Sequence, residues 1–386
     1  MSLSQDVNEI TAFNLSTVWA CETLITDAIA TLPVDTYRKT SDGTRESTIP
    51  PAWVENPNPD MGRIDYDTIR MLSLLSHGDS YSLLVRENGS TDPRVPVVQR
   101  FPVDPWRVQP YRLPAAGGLG YMIGGKPYLR SQVQHIRGYV QVGDPFLRGM
   151  SVITHARRSL GLGASAEAFG ENFYRNGLSS QVAIEMPQMP ADVQDDVINQ
   201  LRDTIEDRYG GAGNAYRPLV LTGGTKASTL SISPSDAQML ETRKFQVAEV
   251  ARWFRVPPHM VGDVEKSTSW GTGINEQTLG FAKYTLQPWI RRLEAADSAL
   301  LTRPQFVKYN LDAFVRSDLL TRYQAYALGW GRWLCTNDIR KLEDEPPIDG
   351  GDVFLAPLNM ADVTLFDGQL PTSNSGSGSG VPNGNE

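Results

Sequence analysis

Residue types that can do chemistry are present in this 386-residue chain, but their spacing assembles no catalytic or metal-binding motif. No serine stands in the G-x-S-x-G elbow of a nucleophilic hydrolase. The glycine-rich stretches at 210–213 and 223–226 do not complete the G-x-x-x-x-G-K-[ST] loop that cradles phosphates, and both are interpreted as turns. Metal sites need histidines or cysteines that cluster, whereas the four histidines are isolated: His77, His135, His155 and His259. We expect no catalytic residue, no metal and no cofactor.

Carboxylates supply the one pattern that could suggest metal-dependent nuclease chemistry. Between 190 and 210, apolar residues recur every three or four positions, which predicts an amphipathic helix. The carboxylates then lie opposite the apolar stripe, so a solvated helix face explains them better than a metal centre: Asp195, Asp196, Asp203, Glu206 and Asp207. A second acidic group surrounds Pro346 and Pro347 and is interpreted as a solvated turn: Glu343, Asp344, Glu345, Asp349 and Asp352.

The overall charge limits how the chain could contact nucleic acid. Its formal net charge is −8 and its isoelectric point is near 5.2, the opposite of a protein that grips phosphates over a broad basic face. The wall of a channel for a sliding polyanion is compatible with this charge, because few local cations keep the contacts weak. Ordinary solubility is the simpler explanation of the acidity.

Cysteine usage and hydrophobic runs indicate an intracellular protein. Cys21 and Cys335 stand far apart, which argues against a disulfide framework and suits a reducing compartment. The first residues have no secretion-signal pattern, and no run approaches the roughly 18 apolar residues that span a bilayer. We expect a cytosolic chain with two or more subdomains, because single cores stop growing at roughly 250–300 residues.

Apolar spacing predicts the elements of the first part of the chain. A helix is expected over Thr17–Leu32, ended by Pro33. A second helix is expected over about Tyr66–Ser76, followed by a strand that ends at Asn88-Gly89. Residues 91–150 hold many prolines and glycines and are interpreted as a β-rich region with long loops.

The segment 151–176 is predicted to be a helix that is rich in small residues. Glycine in a helix costs about 0.5–1 kcal/mol relative to alanine, so such a run indicates close approach by another backbone: Gly161, Gly163, Ala164, Ala166, Ala168 and Gly170. Two interpretations stay open. The helix packs against its own copy in a neighbouring subunit, or it makes an ordinary helix contact within the chain.

The second part of the chain begins with a compact βαβ-like unit at 179–234. A helix that starts at Asp236 is stopped by Pro257-Pro258. The remaining predictions are a long helix at 279–300 with a kink at Pro288, a last helical region from about Asp318 to Leu342, and a flexible tail from 371.

Eight segments that span nearly the whole chain form an ordered series: 20–39, 74–89, HIRG at 135–138, FGENFYRNG at 169–177, 219–238, ARWFRVPPHMVGD at 251–263, 275–294 and 336–352. This series resembles the portal proteins of long-tailed (siphovirus-type) double-stranded DNA phages and prophages. Two positions depart from that pattern, since Asp79 stands where the family often has Asn and Asp338 where Glu is common. Neither change puts a function in doubt.

The resemblance implies an α+β portal fold with a wing, a helical stem, an α/β clip, a tunnel loop with a kinked helix, and a small helical crown. Its parts would be the wing at 1–150 with strands near 303–316, the stem at 151–178 and 235–258, the clip at 179–234, the tunnel loop at 259–275, the kinked tunnel helix at 276–301, the crown at 317–360, and a flexible tail at 371–386.

By the same resemblance, the tunnel loop would reach toward the axis of a channel. Its residues are polar or small and include one cation, which suits brief contacts with phosphates. The residues expected to face DNA are Glu265, Lys266, Ser267, Thr268, Ser269, Trp270 and Thr272. For Trp270 two positions stay open: contact with DNA or a neighbouring loop, and packing against its own subunit.

The function implied is that of a portal subunit in a twelve-membered ring at one capsid vertex, through which DNA is packaged and ejected. The ring would be part of the virion and assemble in the host cytoplasm. Its expected partners are double-stranded DNA, terminase, major capsid or scaffold protein and a head–tail connector or adaptor, with no membrane and no enzymatic activity. The alternatives are a metal-dependent DNA-processing enzyme (nuclease) and another ring-forming connector or capsid component.

Overall fold

The computed structural model describes a mixed α+β chain that divides into two units, Met1–Val315 and Arg316–Glu386. The described strands all belong to the first unit. The described residues are 8–113, 118–140, 147–176, 182–185, 203, 226–229, 235–263, 272–311, 319–330, 333–343 and 345–354.

The helices follow the predicted apolar spacing closely. The helix predicted over Thr17–Leu32 extends from Ser16 to Ala30, and the one predicted to begin at Asp236 begins at Ser235. In chain order the described α-helices are α1 (Glu9–Ala12), α2 (Ser16–Ala30), α3 (Ala52–Glu55), α4 (Arg63–His77), α5 (Val152–Asn176), α6 (Ser235–Phe254), α7 (Thr272–Phe281), α8 (Gln287–Ser298), α9 (Leu319–Gly329) and α10 (Thr336–Leu342).

The strands pair into small sheets in which every described pairing is antiparallel. The strands are β1 (Val34–Lys39), β2 (Arg45–Thr48), β3 (Asp79–Arg86), β4 (Val97–Val103), β5 (Val108–Arg112), β6 (Leu119–Ile123), β7 (Lys126–Leu129), β8 (Val133–Arg137), β9 (Tyr139–Val140), β10 (Gly149–Met150), β11 (Val182–Glu185), β12 (Lys226–Thr229) and β13 (Gln305–Tyr309). The strand orders in the sheets are β13-β1-β2, β4-β3-β8, β5-β6-β7, β10-β9 and β11-β12.

One pairing joins distant parts of the chain. Strand β13 lies beside β1, with Tyr309 opposite Val34 and Gln305 opposite Arg38. The late strand therefore completes a sheet begun near the N-terminus, and it brings the end of α8 against the same sheet.

The main apolar core lies between the helices of the first unit. Residues spaced three or four apart along α2 are fully buried, as the helical periodicity requires. They pack with buried residues from α4, α5, α6, the π-turn at 282–286 and α8. The cluster includes Val18, Cys21, Ile25, Ile29, Leu74, Ile153, Leu160, Phe254, Leu286 and Leu293. The core thus holds the helices that lead into and out of the segment considered below.

Small residues in α5 are explained, at one position, by a contact within the chain. A Cβ atom added at Gly163 would lie 2.4 Å from Oε1 of Gln246 in α6. At Gly163, therefore, the structure favours the ordinary intrachain contact over packing against a neighbouring copy.

The strand–helix–strand unit predicted at 179–234 lies almost wholly outside the described residues. Within it, β11 pairs with β12 in an antiparallel register, Val182 opposite Thr229. Of the five carboxylates predicted on its helix, only Asp203 is described, and it is exposed and helical.

In the second unit, the last helical region consists of two helices, α9 and α10, separated by a turn after Gly329. A Cβ atom at Gly329 would lie 2.8 Å from the Cδ1 atom of the Leu334 side chain, so the chain turns back closely at this point. Helix α10 begins with a capping box in which Asp338 accepts a hydrogen bond from the Cys335 backbone N–H at 2.9 Å.

A buried carboxyl group in α2 has no countercharge among the residues that the structure describes. Glu22 is fully buried, and its Oε2 accepts a hydrogen bond of 2.8 Å from the Ser76 hydroxyl. Its Oε1 has no hydrogen-bond partner among the residues that the structure describes. Burial raises the pKa of Glu22 to about 8, although the Ser76 hydrogen bond opposes this shift.

Replacing Glu22 with glutamine is expected to stabilise the chain at pH 8 and to change little near pH 5. Because the folded-state pKa lies above the unfolded value, the folded chain holds a proton that the unfolded chain has lost. Stability of the wild-type chain therefore falls as pH rises toward 8, by up to about 1.4 kcal/mol per pH unit. Denaturant unfolding at several pH values measures this slope. Equal slopes in both chains would contradict the prediction, and Glu46→Gln, at an exposed position, is the control.

Candidate channel segment

The seven residues expected to face DNA are not brought together within the described residues. Six of them lie outside those residues: Glu265, Lys266, Ser267, Thr268, Ser269 and Trp270. Thr272 is the first residue of α7, so the prediction of a loop extending to 275 was wrong at its C-terminal end. The first turn of α7 is mostly polar or small and has no apolar periodicity from which its helical state could be predicted.

The chain enters the segment 264–271 through a fixed turn at the end of α6. Arg255 adopts the left-handed conformation with φ of 58°, and the Val256 N–H donates to the Ala251 carbonyl at 2.9 Å. Phe254 and Val256 are both buried. The exit direction of the chain is therefore set by core packing on either side of one sharp turn.

A short 3₁₀ turn follows, over Pro258–Val261. It ends at Gly262, whose φ of 91° lies in the region that only glycine adopts easily. The Asp263 N–H donates to the Pro258 carbonyl at 3.0 Å and closes the turn. Residues 255–263 form the N-terminal anchor of the segment.

The C-terminal anchor is a helix with one wide turn. Helix α7 continues through a π-helical turn, Ala282–Leu286, into α8. Pro288 stands at the start of α8, and it has no N–H for the helical hydrogen-bond ladder, which is a known cause of such irregular turns. The irregularity predicted from Pro288 is therefore present as a π-turn immediately before it.

A hydrogen bond ties the two anchors together. The Thr285 hydroxyl, in the π-turn, donates to the Arg255 carbonyl at 2.6 Å. Phe281 and Leu286 are buried on either side of it. The bond joins the two anchors at a distance from the segment itself, since Thr285 lies beyond the C-terminal end of α7.

The exposed charges on the anchors are few and mixed. Lys283 and Glu276 are exposed on α7 and the π-turn, and the Lys283 ammonium lies 5.6 Å from the centroid of the exposed Tyr284 ring. Isolated cations of this kind give weak contacts with phosphates.

A buried ionic cluster fixes α8 to the β-sheets beneath it. Asp297 accepts hydrogen bonds from Arg100 at 2.8 Å, from Arg70 at 3.2 Å and from Gln134 at 3.0 Å. The Tyr309 hydroxyl donates to it at 3.3 Å. These residues come from α4, β4, β8, α8 and β13, so one carboxylate joins five elements.

Electrostatics in this cluster favour the ionised form of Asp297. Burial opposes ionisation, but Arg70 and Arg100 outweigh it and hold the pKa of Asp297 below its usual range. The Arg100 guanidinium also stacks over Trp53 and Tyr66, each at 4.4 Å. Charges and π faces together compensate for the loss of water around two buried arginines.

This cluster could not be predicted from the sequence, because each of its residues is ordinary by itself. The available signal was the position of Arg70, which falls in the apolar phase of α4 with Tyr66, Met71 and Leu74. A charged residue on a buried helix face implies a buried partner, although not which one.

A second polar cluster surrounds Asp79 at the start of β3. Its Oδ1 accepts hydrogen bonds from His135 Nε2 and from the Gly149 N–H, both at 2.8 Å. With the proton on Nε2, His135 Nδ1 accepts a hydrogen bond of 3.2 Å from the Tyr121 hydroxyl. Burial lowers the pKa of His135, and Asp79 opposes the shift. Aspartate at this position thus joins three elements and carries out no evident chemistry.

Groups suited to other chemistry do not converge in the described residues. Within these ranges, no three histidine, cysteine or acidic side chains come together as metal ligands would. Both cysteines are free and buried. No helix in the described part of the chain is both long and apolar enough to cross a bilayer.

The chain belongs to the phage portal protein family, whose model matches residues 16–344. Proteins of this family are structural and not enzymatic. The prediction that the chain is not an enzyme is thereby confirmed, and the nuclease alternative is set aside.

Individual relatives agree with this membership. The chain is 36% identical over 376 residues to the probable portal protein of Streptomyces phage phiC31, covering 91% of this chain and 79% of the relative. It is 30% identical over 374 residues to the portal protein of Enterobacteria phage HK97, covering 93% and 85%. Its fold matches a chain from the neck of a native gene transfer agent particle with C12 symmetry, with a TM-score of 0.59, 23% identity, and coverage of 88% and 92%.

Proposed function

We propose that this chain is the subunit of a twelve-membered portal ring at one capsid vertex, through which double-stranded DNA is packaged and ejected. Family membership supports the role of portal. The C12 symmetry of the gene transfer agent neck, whose chain shares the fold, supports the number of copies. The ring would assemble in the host cytoplasm and remain in the virion.

The proposed parts of the subunit follow the observed elements. Residues 1–150 with β13 would be the wing, a grouping supported by the pairing of β13 with β1. Helices α5 and α6 would be the stem, and 179–234 the clip. The second unit, which begins at Arg316, would hold the crown. The tunnel loop would be the 264–271 segment with its two anchors, and α7 to α8 the tunnel helix.

The observation that carries the DNA-facing role is that the polar stretch 264–271 lies between two described anchors, residues 255–263 and α7, and that a bond between Thr285 and Arg255 joins these anchors. Terminase, capsid or scaffold protein, and a head–tail connector would dock on other surfaces.

Replacing Lys266 and Trp270 together with alanine is expected to leave rings intact and to reduce packaging by roughly tenfold, the effect of losing about 1.4 kcal/mol of contact with DNA. Electron microscopy measures ring formation. Packaging is measured as nuclease-protected DNA in particles complemented with the variant chain.

A matched control replaces Lys126 and Trp106, which are exposed residues of the same types on the β5–β7 region. This control should package normally. Normal packaging by the Lys266/Trp270 variant would show that the segment does not contact DNA, and loss of folding would place these side chains in the core.

A further inference from the structure

Arg255 stands at a backbone position that favours glycine. It follows the last residue of α6, and its φ of 58° is left-handed. Its N–H donates to the Arg252 carbonyl at 3.1 Å, and the next N–H, of Val256, donates to the Ala251 carbonyl at 2.9 Å. This pair of bonds defines a Schellman helix end, where glycine is the usual residue because a Cβ atom disfavours the left-handed conformation. Glycine would therefore serve the backbone better than arginine does.

The Arg255 side chain reaches an aromatic ring on a different element. Its Cζ atom lies 5.5 Å from the centroid of the Tyr139 ring in β9, a distance at which a guanidinium and an aromatic face attract each other. Tyr139 is in turn held by α8, since the Trp289 ring meets it at 72° with centroids 5.4 Å apart. The Cζ atom of Arg292, also in α8, lies 5.4 Å from the Tyr139 centroid. The ring is thus a fixed point to which Arg255 is tied.

The backbone of Arg255 is tied to a further element. Its carbonyl accepts the hydrogen bond from the Thr285 hydroxyl in the π-turn. Arg255 and Thr285 also border the same small cavity as Tyr139, with a volume of about 10 Å³. No ion pair within the described ranges involves Arg255, so the Tyr139 ring is the group that holds its guanidinium.

We infer that Arg255 is a positioning residue for the 264–271 segment, and that its contact with Tyr139 fixes the direction in which the chain leaves α6. One residue joins the end of α6, strand β9 and the π-turn. A glycine at this position would keep the left-handed turn but would let the anchor at 256–263 rotate about a freer residue. The inference rests on the proposed function, because it names the residue that holds the DNA-facing segment in place.

The test separates the turn from the side-chain contact. Arg255→Gly should form rings with a urea midpoint equal to or above that of the wild-type chain, because glycine adopts a φ of 58° more easily. Packaging, measured as nuclease-protected DNA in complemented particles, should nevertheless fall about two- to fivefold, the factor for losing an exposed cation–π contact of about 0.5–1 kcal/mol. A purely structural role for Arg255 predicts normal packaging by this stable variant.

Substitutions at Tyr139 show whether the ring carries the effect. Tyr139→Leu keeps an apolar side chain against the core but removes the aromatic face, so it should also lower packaging. Adding Arg255→Gly to Tyr139→Leu should cause no further loss, because the contact is already absent. Arg255→Lys retains a cation that reaches the ring, and it should package better than Arg255→Gly.

Two controls match the substitutions. Asn88 also has a positive φ, 55°, and is exposed, so Asn88→Gly should package normally. Arg252→Gln removes a positive charge three residues before Arg255 from a side chain that is 70% exposed, and it should package normally as well.

Several outcomes would overturn this inference alone. They are normal packaging by Arg255→Gly, loss of its rings or a lower urea midpoint, a further loss in the double variant, no advantage of Arg255→Lys, and a deficit in either control. Absence of rings from the wild-type chain would instead overturn the proposed portal function.

Discussion

Replacing Asp297 with asparagine is expected to lower the free energy of unfolding by about 3–5 kcal/mol, the usual cost of removing one partner from a buried charge cluster. The substitution keeps the shape of the side chain and removes its charge. Arg70 and Arg100 then remain buried, at 1% and 2% exposure, with Asp67 as the remaining carboxylate nearby. The amide N–H groups of asparagine would also face guanidinium donors, which cannot accept them.

Denaturant unfolding at one fixed protein concentration measures this loss, because association of copies would otherwise shift apparent stability. The fluorescence of Trp53, which stacks on Arg100, reports directly on the cluster. Asp27→Asn, at an exposed position of α2, is the control and should change stability by less than about 0.5 kcal/mol. A similarly small change in Asp297→Asn would mean that solvent reaches the two arginines in the folded chain.

The cluster also shows what sequence alone could and could not predict. Helices α2, α4 and α6 were predicted to within a few residues, because their apolar residues recur with the helical period. The partners of Arg70 could not be predicted, since Asp297 is more than two hundred residues away and appears as one more acid on a helix. Long-range ion pairs leave no periodic trace in a sequence.

The same distinction applies to the candidate channel segment. Its boundaries came mainly from the resemblance to portal proteins, while Pro257-Pro258 and Pro288 marked the outer limits of its two anchors by local chemistry. The bond from Thr285 to Arg255, which joins the two anchors, follows from how α6 and the π-turn pack. Thr285 is an ordinary helix residue in the sequence, so its role depends on tertiary structure.

Replacing Gly149 with alanine is expected to destabilise the first unit by on the order of 3 kcal/mol or more, from steric overlap and disrupted hydrogen bonds. The added Cβ would lie 1.9 Å from the Gly78 carbonyl oxygen. That oxygen cannot easily move, because it accepts a hydrogen bond of 2.8 Å from the Gly138 N–H. Gly149 is itself held by its bond to Asp79.

Gly280→Ala is the control for this prediction, because a Cβ there meets nothing within 4 Å. Gly280 lies inside α7, so alanine should leave stability unchanged or raise it by up to about 1 kcal/mol. Denaturant unfolding measures the change in the free energy of unfolding for both variants. A decrease for Gly149→Ala without a decrease for Gly280→Ala would place the effect where the backbones of Gly78, Gly138 and Gly149 cross. Equal effects would mean that the backbone at β10 can shift and, with it, the start of α5, which begins only two residues after Met150.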